Sequence, residues 1–307
     1  MTTALLFPGQ GSQRVGMGRD LAREFAVARQ TYDEADEVLG FSLSRLCFEG
    51  PEGELTLTRN TQPAILTTSI AVFRALGERG LGFDAVAGHS LGEWTALVAA
   101  GAIRFRDAVR LTHLRGTYMQ DAVPAGEGAM AAIMGLELPA MQDVCARASQ
   151  PGEPVEPANL NGAGQIVISG QTAAVDRAIT EAKAAGAKRA IRLAVSAPFH
   201  CSLMQPAADQ LAAALAGIEI AAPRVPVIAN VTAQPTQDPA QIRDLLIQQV
   251  TRAVRWEESI RTLAGMGIIR AYELGSGSVL KGLVKRIAET IETQAIGEPH
   301  EVNAFTA

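Results

Sequence analysis

The chain has 307 residues, of which 48% are hydrophobic and 19% charged, and its net charge is -5. This composition is typical of a globular protein and gives no electrostatic reason to bind nucleic acid. We find neither a signal segment nor an apolar run that could span a bilayer, so we expect no membrane association. Three widely separated cysteines, Cys47, Cys145 and Cys201, predict neither a disulfide framework nor a metal site and indicate a reducing, cytoplasmic setting.

The length favours one large domain with an insertion, or two domains. Strand-like and helical patterns alternate over residues 1–125 and again over 198–307. Residues 126–197 read instead as strand, helix, strand, strand, helix, strand, which is the ferredoxin-like order. We therefore predict an α/β-hydrolase-like catalytic domain with a parallel sheet, formed by residues 1–125 and 198–307. Residues 126–197 are predicted to form a small ferredoxin-like domain inserted into it.

The first predicted strand is Thr3–Pro8, and it ends in a tight glycine loop around Gln10. Helical patterns follow from residue 20 to about residue 39, and residues 50–60 read as a loop. A helix is then predicted to start at Thr61, with Pro63 in its first turn.

The most informative stretch is the G-x-S-x-G pattern formed by Gly88, Ser90 and Gly92. An apolar strand precedes it and a helix-forming run follows it, which is the context of a nucleophile elbow. Glycines on both sides allow the sharp turn that lifts the serine hydroxyl clear of the sheet. The N–H of Leu91 would then face a developing oxyanion. The five-residue pattern alone is weak, since a plain strand-to-helix turn fits it as well.

A helix is predicted from Phe105 to Gln120, and one of its faces is apolar except for an arginine. That face carries Leu111, Arg115 and Met119. A guanidinium on an apolar face needs an anionic partner, which is either a local carboxylate of the protein or a ligand. The pattern leaves both open, as well as a side chain that extends its charged end to the surface.

His200 follows the last predicted strand of the insertion and directly precedes a helix. A single histidine at such a junction is more often structural than catalytic. In the serine-elbow architecture, however, the base follows the nucleophile along the chain, as His200 follows Ser90.

Beyond His200, a strand is predicted at 225–230, helices at 239–250 and 256–266, and a strand at 268–274. The glycine loop Gly275–Ser278 opens a further helix but lacks the spacing of a nucleotide-binding loop. Residues 298–307 show no pattern and are predicted to be loose.

Several of these segments, taken in order, resemble the malonyl-coenzyme A:acyl carrier protein transacylases of fatty-acid synthesis. They are Phe7–Gln13, Gly88–Glu93, Pro198–His200 and the pair Gly275 and Gly277. The resemblance runs from about Thr3 to Ile291. Two positions depart from the family's common pattern, namely Ser276, where proline is usual, and Phe199, where several bacterial members have serine.

The resemblance implies a role for each matching residue. Ser90 would carry the malonyl group, His200 would be its base, and Arg115 would bind the free malonyl carboxylate. The backbone amides of Gln10 and Leu91 would form the oxyanion hole. The main-chain carbonyl of Gln249 would orient His200 in place of a triad aspartate. Met119 and Phe199 would line the substrate pocket.

The implied reaction transfers malonyl from malonyl-CoA to the phosphopantetheine thiol of acyl carrier protein through a malonyl-serine. We expect no metal or redox cofactor, malonyl-CoA as substrate, acyl carrier protein as partner, and a monomer. Three alternatives within enzymes stay open: the transacylase of a malonate decarboxylase, a polyketide-pathway acyltransferase, and a serine thioesterase. A non-catalytic carrier-binding scaffold is the alternative from another class. The basic cluster of Lys281, Lys285 and Arg286 is a solvated helix face or a surface for an acidic carrier.

Overall fold

The computed structural model describes residues 2–195 and 197–306, and over these residues the chain is a mixed α/β fold with two sheets. In chain order the strands are β1 (Thr3–Phe7), β2 (Ala85–Gly88), β3 (Gly128–Met134), β4 (Val155–Gly162), β5 (Gln165–Gln171), β6 (Arg189–Arg192), β7 (Val227–Ile228), β8 (Pro235–Thr236), β9 (Arg270–Leu274) and β10 (Glu292–Ile296). The helices are α1 (Arg19–Glu24), α2 (Ala26–Leu39), α3 (Leu43–Glu49), α4 (Glu52–Leu55), α5 (Thr58–Gly77), α6 (Leu91–Ala99), α7 (Phe105–Asp121), α8 (Leu138–Ala148), α9 (Thr172–Ala184), α10 (Gln205–Leu215), α11 (Pro239–Gln248), α12 (Trp256–Gly265), α13 (Val279–Ile287) and α14 (Pro299–Ala304), with a 3-10 turn at Ser202–Met204.

The larger sheet has the strand order β10-β9-β1-β2-β7-β8, and its pairs are parallel except for the last one. Its central strand β1 is buried along its whole length, as expected where helices cover both faces. Leu5 and Phe7 point into the larger core cluster, and Ala4 and Leu6 point into a second cluster on the other face. The strands β1 and β2 lie side by side, so the loops after their carboxyl ends meet at one edge.

The smaller sheet is antiparallel, with the order β4-β5-β3-β6. Helices α8 and α9 pack together on one of its faces over a separate core cluster. Alternate residues of β3, such as Ala131 and Ile133, supply that core, as the two-residue period of a strand requires. From the sequence we predict the last strand of the insertion over residues 188–196; β6 covers only four of these residues, and Ser196 lies outside the described residues.

The predicted loop at 50–60 is wrong, because α4 and the first turn of α5 lie within it. Pro63 therefore lies inside α5, where it cannot donate to the carbonyl of Arg59. That carbonyl is bound instead by Nδ1 of His113, at 2.9 Å from the neighbouring helix α7. A tertiary contact thus satisfies the group that the proline frees, and this is why the proline does not end the helix.

The predicted loose C-terminus is also wrong. Helix α14 starts with a capping box between Glu298 and Glu301, and its Val302 is fully buried. Phe305 packs edge-on against Tyr272 of β9, with ring centroids 5.4 Å apart, a usual distance for an aromatic pair. Over residues 2–195 and 197–306, no helix has both the length and the apolar character needed to cross a membrane.

Candidate active site

Ser90 occupies a sharp turn between β2 and α6, with backbone angles φ 52 and ψ -106. A Cβ on Gly88 would lie 1.9 Å from the main chain of Gly92, and a Cβ on Gly92 would lie 2.0 Å from the Phe7 carbonyl oxygen. Both glycines are therefore required by close backbone packing around the turn. The strained serine conformation costs roughly 1–3 kcal/mol, which the surrounding structure must supply.

The serine hydroxyl faces a histidine brought from the far side of the insertion. Oγ of Ser90 lies 2.7 Å from Nε2 of His200, and Nδ1 of the same ring lies 2.7 Å from the main-chain oxygen of Gln249. His200 has a positive φ of 61 and is 4% exposed. The predicted nucleophile, base and orienting carbonyl thus form one hydrogen-bonded chain.

The Gln249 carbonyl is free for this bond because of its place in the fold. Gln249 caps the C-terminus of α11, where the last carbonyls have no partner within the helix. The negative end of the helix dipole also lies there. A helix end therefore holds the imidazole where other serine enzymes use a carboxylate.

Arg115 is buried in the middle of α7, as the apolar stripe predicted, and is 1% exposed. Its guanidinium donates to Oε1 of Gln62 at 2.7 Å, to Oε1 of Gln249 at 2.9 Å and to Oγ of Ser90 at 3.2 Å. These partners are all uncharged, and its Nε has no partner among the described residues. A buried guanidinium beside the nucleophile, without a directly bound carboxylate, is suited to an anionic substrate.

The electrostatics of the site favour a neutral histidine. Burial lowers the pKa of His200 to about 3, and the nearby charge of Arg115 adds to the effect. Burial also lowers the pKa of Arg115 to about 10, which leaves the guanidinium charged at neutral pH. Cys201, next to the base, is fully buried, and burial raises its pKa to about 11. Its thiol donates to the Pro198 carbonyl oxygen and is therefore a poor nucleophile.

The two amides expected to form an oxyanion hole belong to the segments that follow the neighbouring strands β1 and β2. Leu91 is the first residue of α6, so its N–H has no acceptor within that helix. Gln10 is in the loop after β1, which packs closely on the elbow, since a Cβ on Gly9 would lie 2.4 Å from the His89 carbonyl oxygen. Within residues 2–195 and 197–306, neither amide donates to a protein acceptor.

Met119 and Phe199 are both close to the site in sequence and buried in the core. The Met119 sulfur lies 3.7 Å from Nε2 of Gln62, which binds Arg115 through its other amide atom. Phe199 directly precedes His200 and packs into the larger core cluster. Met119 therefore contacts the side chain that binds Arg115, and the predicted lining of the substrate pocket by Met119 and Phe199 stays a prediction.

From the sequence we assign no role to four polar residues of the site, which are Gln62, Glu93, Asn161 and Asn230. Asn230 accepts from the Ser90 amide at 2.7 Å, and Asn161 of β4 lies 2.9 Å from Nε2 of His89. Their burial is the signal that distinguishes them, and burial of a polar side chain is not visible in sequence.

Comparison with known proteins agrees with this geometry. The family model described as an acyl transferase domain matches residues 4–287. The chain belongs to the acyl transferase family. It is therefore an acyltransferase.

Individual relatives show which members of this family the chain resembles. The chain is 50% identical to the malonyl CoA-acyl carrier protein transacylase of Bacillus subtilis, over 97% of this chain and 94% of that protein. A crystal structure of an acyl carrier protein S-malonyltransferase from Vibrio cholerae superposes with a TM-score of 0.96 at 50% identity, covering 99% of both chains. A malonyl-transacylase solved in complex with a type II PKS acyl-carrier protein also superposes with a TM-score of 0.96. It is 47% identical, and the match covers 99% of this chain and 98% of that chain. The predicted resemblance to malonyl-CoA:acyl carrier protein transacylases is confirmed.

Proposed function

We propose that this acyltransferase moves a malonyl group from malonyl-CoA to the phosphopantetheine thiol of acyl carrier protein through a malonyl ester on Ser90. The observation that carries the proposal is the placement of Arg115. Its buried guanidinium lies 3.2 Å from the nucleophile oxygen, and the partners of its hydrogen bonds are uncharged. An acyl group that ends in a carboxylate supplies the missing anion, whereas an acetyl group does not.

In the first half-reaction, Oγ of Ser90 attacks the thioester carbonyl while Nε2 of His200 takes its proton. The oxyanion is held by the amides of Leu91 and Gln10. Collapse breaks the carbon–sulfur bond, and the CoA sulfur leaves with the proton from His200. In the second half-reaction, the carrier thiol gives its proton to His200 and attacks the malonyl ester, and Ser90 recovers a proton as the ester breaks.

The tautomer of His200 supports these roles. A carbonyl oxygen can only accept, so Nδ1 carries the hydrogen directed at Gln249 and Nε2 keeps its lone pair toward Ser90. Positioned base catalysis contributes about 10²–10⁴-fold, and one oxyanion donor about 10²–10³-fold.

The proposal includes the architecture that positions the site. Residues 1–125 and 198–307 form an α/β-hydrolase-like domain, and residues 126–197 form the inserted domain. The order β4-β5-β3-β6 with two helices on one face supports a ferredoxin-like description of the insertion. Asn161 of β4 reaches His89 next to the nucleophile, so the insertion completes one wall of the site.

Fatty-acid synthesis is the pathway we propose, and the cytoplasm is the compartment. The three buried cysteines are free thiols, which supports a reducing compartment. A polyketide carrier is the second candidate, because one similar malonyl-transacylase was solved with a type II PKS acyl-carrier protein.

The decisive test is intact-mass analysis of the pure protein after mixing with malonyl-CoA or acetyl-CoA. We expect a mass gain of one malonyl group that persists until acyl carrier protein is added and then moves to the carrier. Rapid loss to water without carrier would instead indicate a thioesterase, and no mass gain at all would contradict the proposal. Parallel reactions with fatty-acid and polyketide carriers would separate the two pathways.

A further inference from the structure

Glu93 is a buried carboxyl group that the proposed reaction does not use. It lies in the first turn of α6, three residues after the nucleophile, and is 3% exposed. Burying a carboxylate is costly unless strong hydrogen bonds compensate. Here burial raises the pKa of Glu93 to about 7, even though backbone and side-chain donors and the charge of Arg115 act in the opposite direction. Because burying this carboxyl group is unfavourable, we expect Glu93 to have a specific role.

One oxygen of this carboxylate accepts hydrogen bonds from two residues that are far from Glu93 in the chain. Oε2 accepts from the backbone N–H of Asn230 at 3.0 Å and from the side-chain amide of Gln249 at 2.6 Å. Asn230 follows β7, and Gln249 ends α11. Above its pKa of about 7 this acceptor is charged, and bonds to a charged acceptor are about twice as strong as neutral ones, so both residues are held firmly at pH 8.

Each of these two residues in turn holds a reacting group. The side chain of Asn230 accepts from the Ser90 amide at 2.7 Å and donates to the Gly88 carbonyl at 2.7 Å, which fixes both sides of the elbow. The main-chain oxygen of Gln249 orients His200, and its side-chain oxygen holds Arg115. The nucleophile, the base and the arginine therefore share one buried anchor.

We propose that Glu93 is the positioning residue of the site, which sets the Ser90–His200 geometry by holding Asn230 and Gln249 through a single carboxylate oxygen. It touches neither the substrate nor the reacting atoms, and the inference rests on the function proposed for Ser90 and His200. Because a misplacement of about 1 Å can cost 10²-fold in rate, loss of the anchor should slow chemistry on any acyl group.

The chain offers a matched set of variants. Glu93→Gln keeps an oxygen that can accept both bonds, whereas Glu93→Met has a similar length and only a weakly accepting sulfur. The control is Glu273→Met, since Glu273 is also fully buried and also accepts two donors, the amides of Leu280 and Lys281 at the start of α13. This control measures the effect of losing a buried carboxylate that accepts two hydrogen bonds but none from Asn230 or Gln249.

The readout is the rate of acyl-enzyme formation in single turnovers with malonyl-CoA and acetyl-CoA, at pH 8 and well below each variant's melting temperature. For Glu93→Met we expect a loss of about 100-fold with both substrates and a half-saturating substrate concentration within about threefold of wild type. Glu93→Gln should recover the rate to within about tenfold of wild type. Glu273→Met should lower the melting temperature and leave the rate unchanged.

The proposal would be overturned if Glu93→Met formed the acyl-enzyme at the wild-type rate. It would also be overturned if Glu93→Met and Glu273→Met lost the same factor in rate, or if Glu93→Gln were as slow as Glu93→Met. If Glu93→Met does not fold, Gln249→Met removes the bond to Glu93, together with the bonds of this side chain to Ser90 and Arg115, and keeps the carbonyl behind His200. The acetyl rate should then still fall by about tenfold or more, and an unchanged acetyl rate would overturn the proposal. Wild-type protein that fails to gain a malonyl group would instead contradict the proposed function itself.

Discussion

His200 is oriented by Gln249 through the main chain, with Nδ1 of the ring 2.7 Å from the carbonyl oxygen. Residue 249 can therefore vary without losing this acceptor, provided that α11 still ends there. A carbonyl carries only a partial negative charge, so it orients the ring but stabilises an imidazolium less than a carboxylate would. The neutral form of His200 that burial and Arg115 favour fits this arrangement.

We expect Ser90→Ala to abolish acyl-enzyme formation, because the structure places no other nucleophile beside Nε2 of His200 among the described residues. Intact-mass analysis after mixing with malonyl-CoA measures this directly. Cys201→Ala is the matched variant, since its thiol is buried and bound to the Pro198 carbonyl. It should form the acyl-enzyme normally, and labelled malonyl retained on Ser90→Ala would assign the nucleophile to another residue.

For His200→Ala, transfer should fall by about 10²–10⁴-fold with the fold intact. The loss should shrink as pH rises, since hydroxide partly replaces the missing base. Rates across a pH series, with circular dichroism to verify folding, test this prediction. The exposed His300 provides the control, because His300→Ala should behave as wild type. Near-normal turnover of His200→Ala at neutral pH would reduce His200 to a structural residue.

Arg115→Ala should slow malonyl transfer by about 10–200-fold, because hydrogen bonds to a charged group contribute roughly 1.5–3 kcal/mol and each ~1.4 kcal/mol is a factor of ten. Acetyl transfer should be unchanged or faster, and Arg115→Lys should lie between, since lysine lacks the planar fork. The measurement is the malonyl-to-acetyl ratio of kcat/KM. Arg106→Ala, at an exposed position of the same helix paired with Glu37, should not alter that ratio. Equal losses for both substrates would make Arg115 a structural residue.

The charge of Arg115 should also be visible in the titration of His200. Burial is the larger cause of the low His200 pKa and Arg115 the next. Removing the guanidinium therefore raises the pKa toward its ordinary value near 6.5. Proton NMR of the four histidines in wild type and Arg115→Ala tests this, and malonate added to wild type should move the same resonance in the same direction by pairing with Arg115. A His200 pKa that is identical in all three samples would contradict the coupling.

Gly92→Ala should destabilise the fold by about 1–3 kcal/mol or more, because a Cβ there would lie 2.0 Å from the Phe7 carbonyl oxygen and neither main chain can move freely. Gly282→Ala is its counterpart on α13, where a Cβ meets nothing within 4 Å. That change should stabilise by about 0.5–1 kcal/mol. Denaturant unfolding measures both free energies, and equal stabilities of the two variants would contradict this view of the elbow.

Local patterns in the sequence were sufficient for much of the fold. The elbow from β2 to α6 and the arginine-bearing helix α7 appear where they were predicted, since each depends on residues close together in the chain. The order of elements in residues 126–197 was also predictable. The resemblance then supplied Gln249, whose contact with His200 no local pattern indicates.

The tertiary structure alone decided which polar residues are buried together. From the sequence no individual role was assigned to Glu93, Asn230 or Gln62, and all three are buried in the folded chain. It also decided that Pro63 lies inside a helix, because His113 binds the carbonyl that the proline leaves free. The physical reason is the same in each case: a hydrogen bond between residues 50 to 160 positions apart satisfies a buried group, and such a bond exists only once the chain has folded.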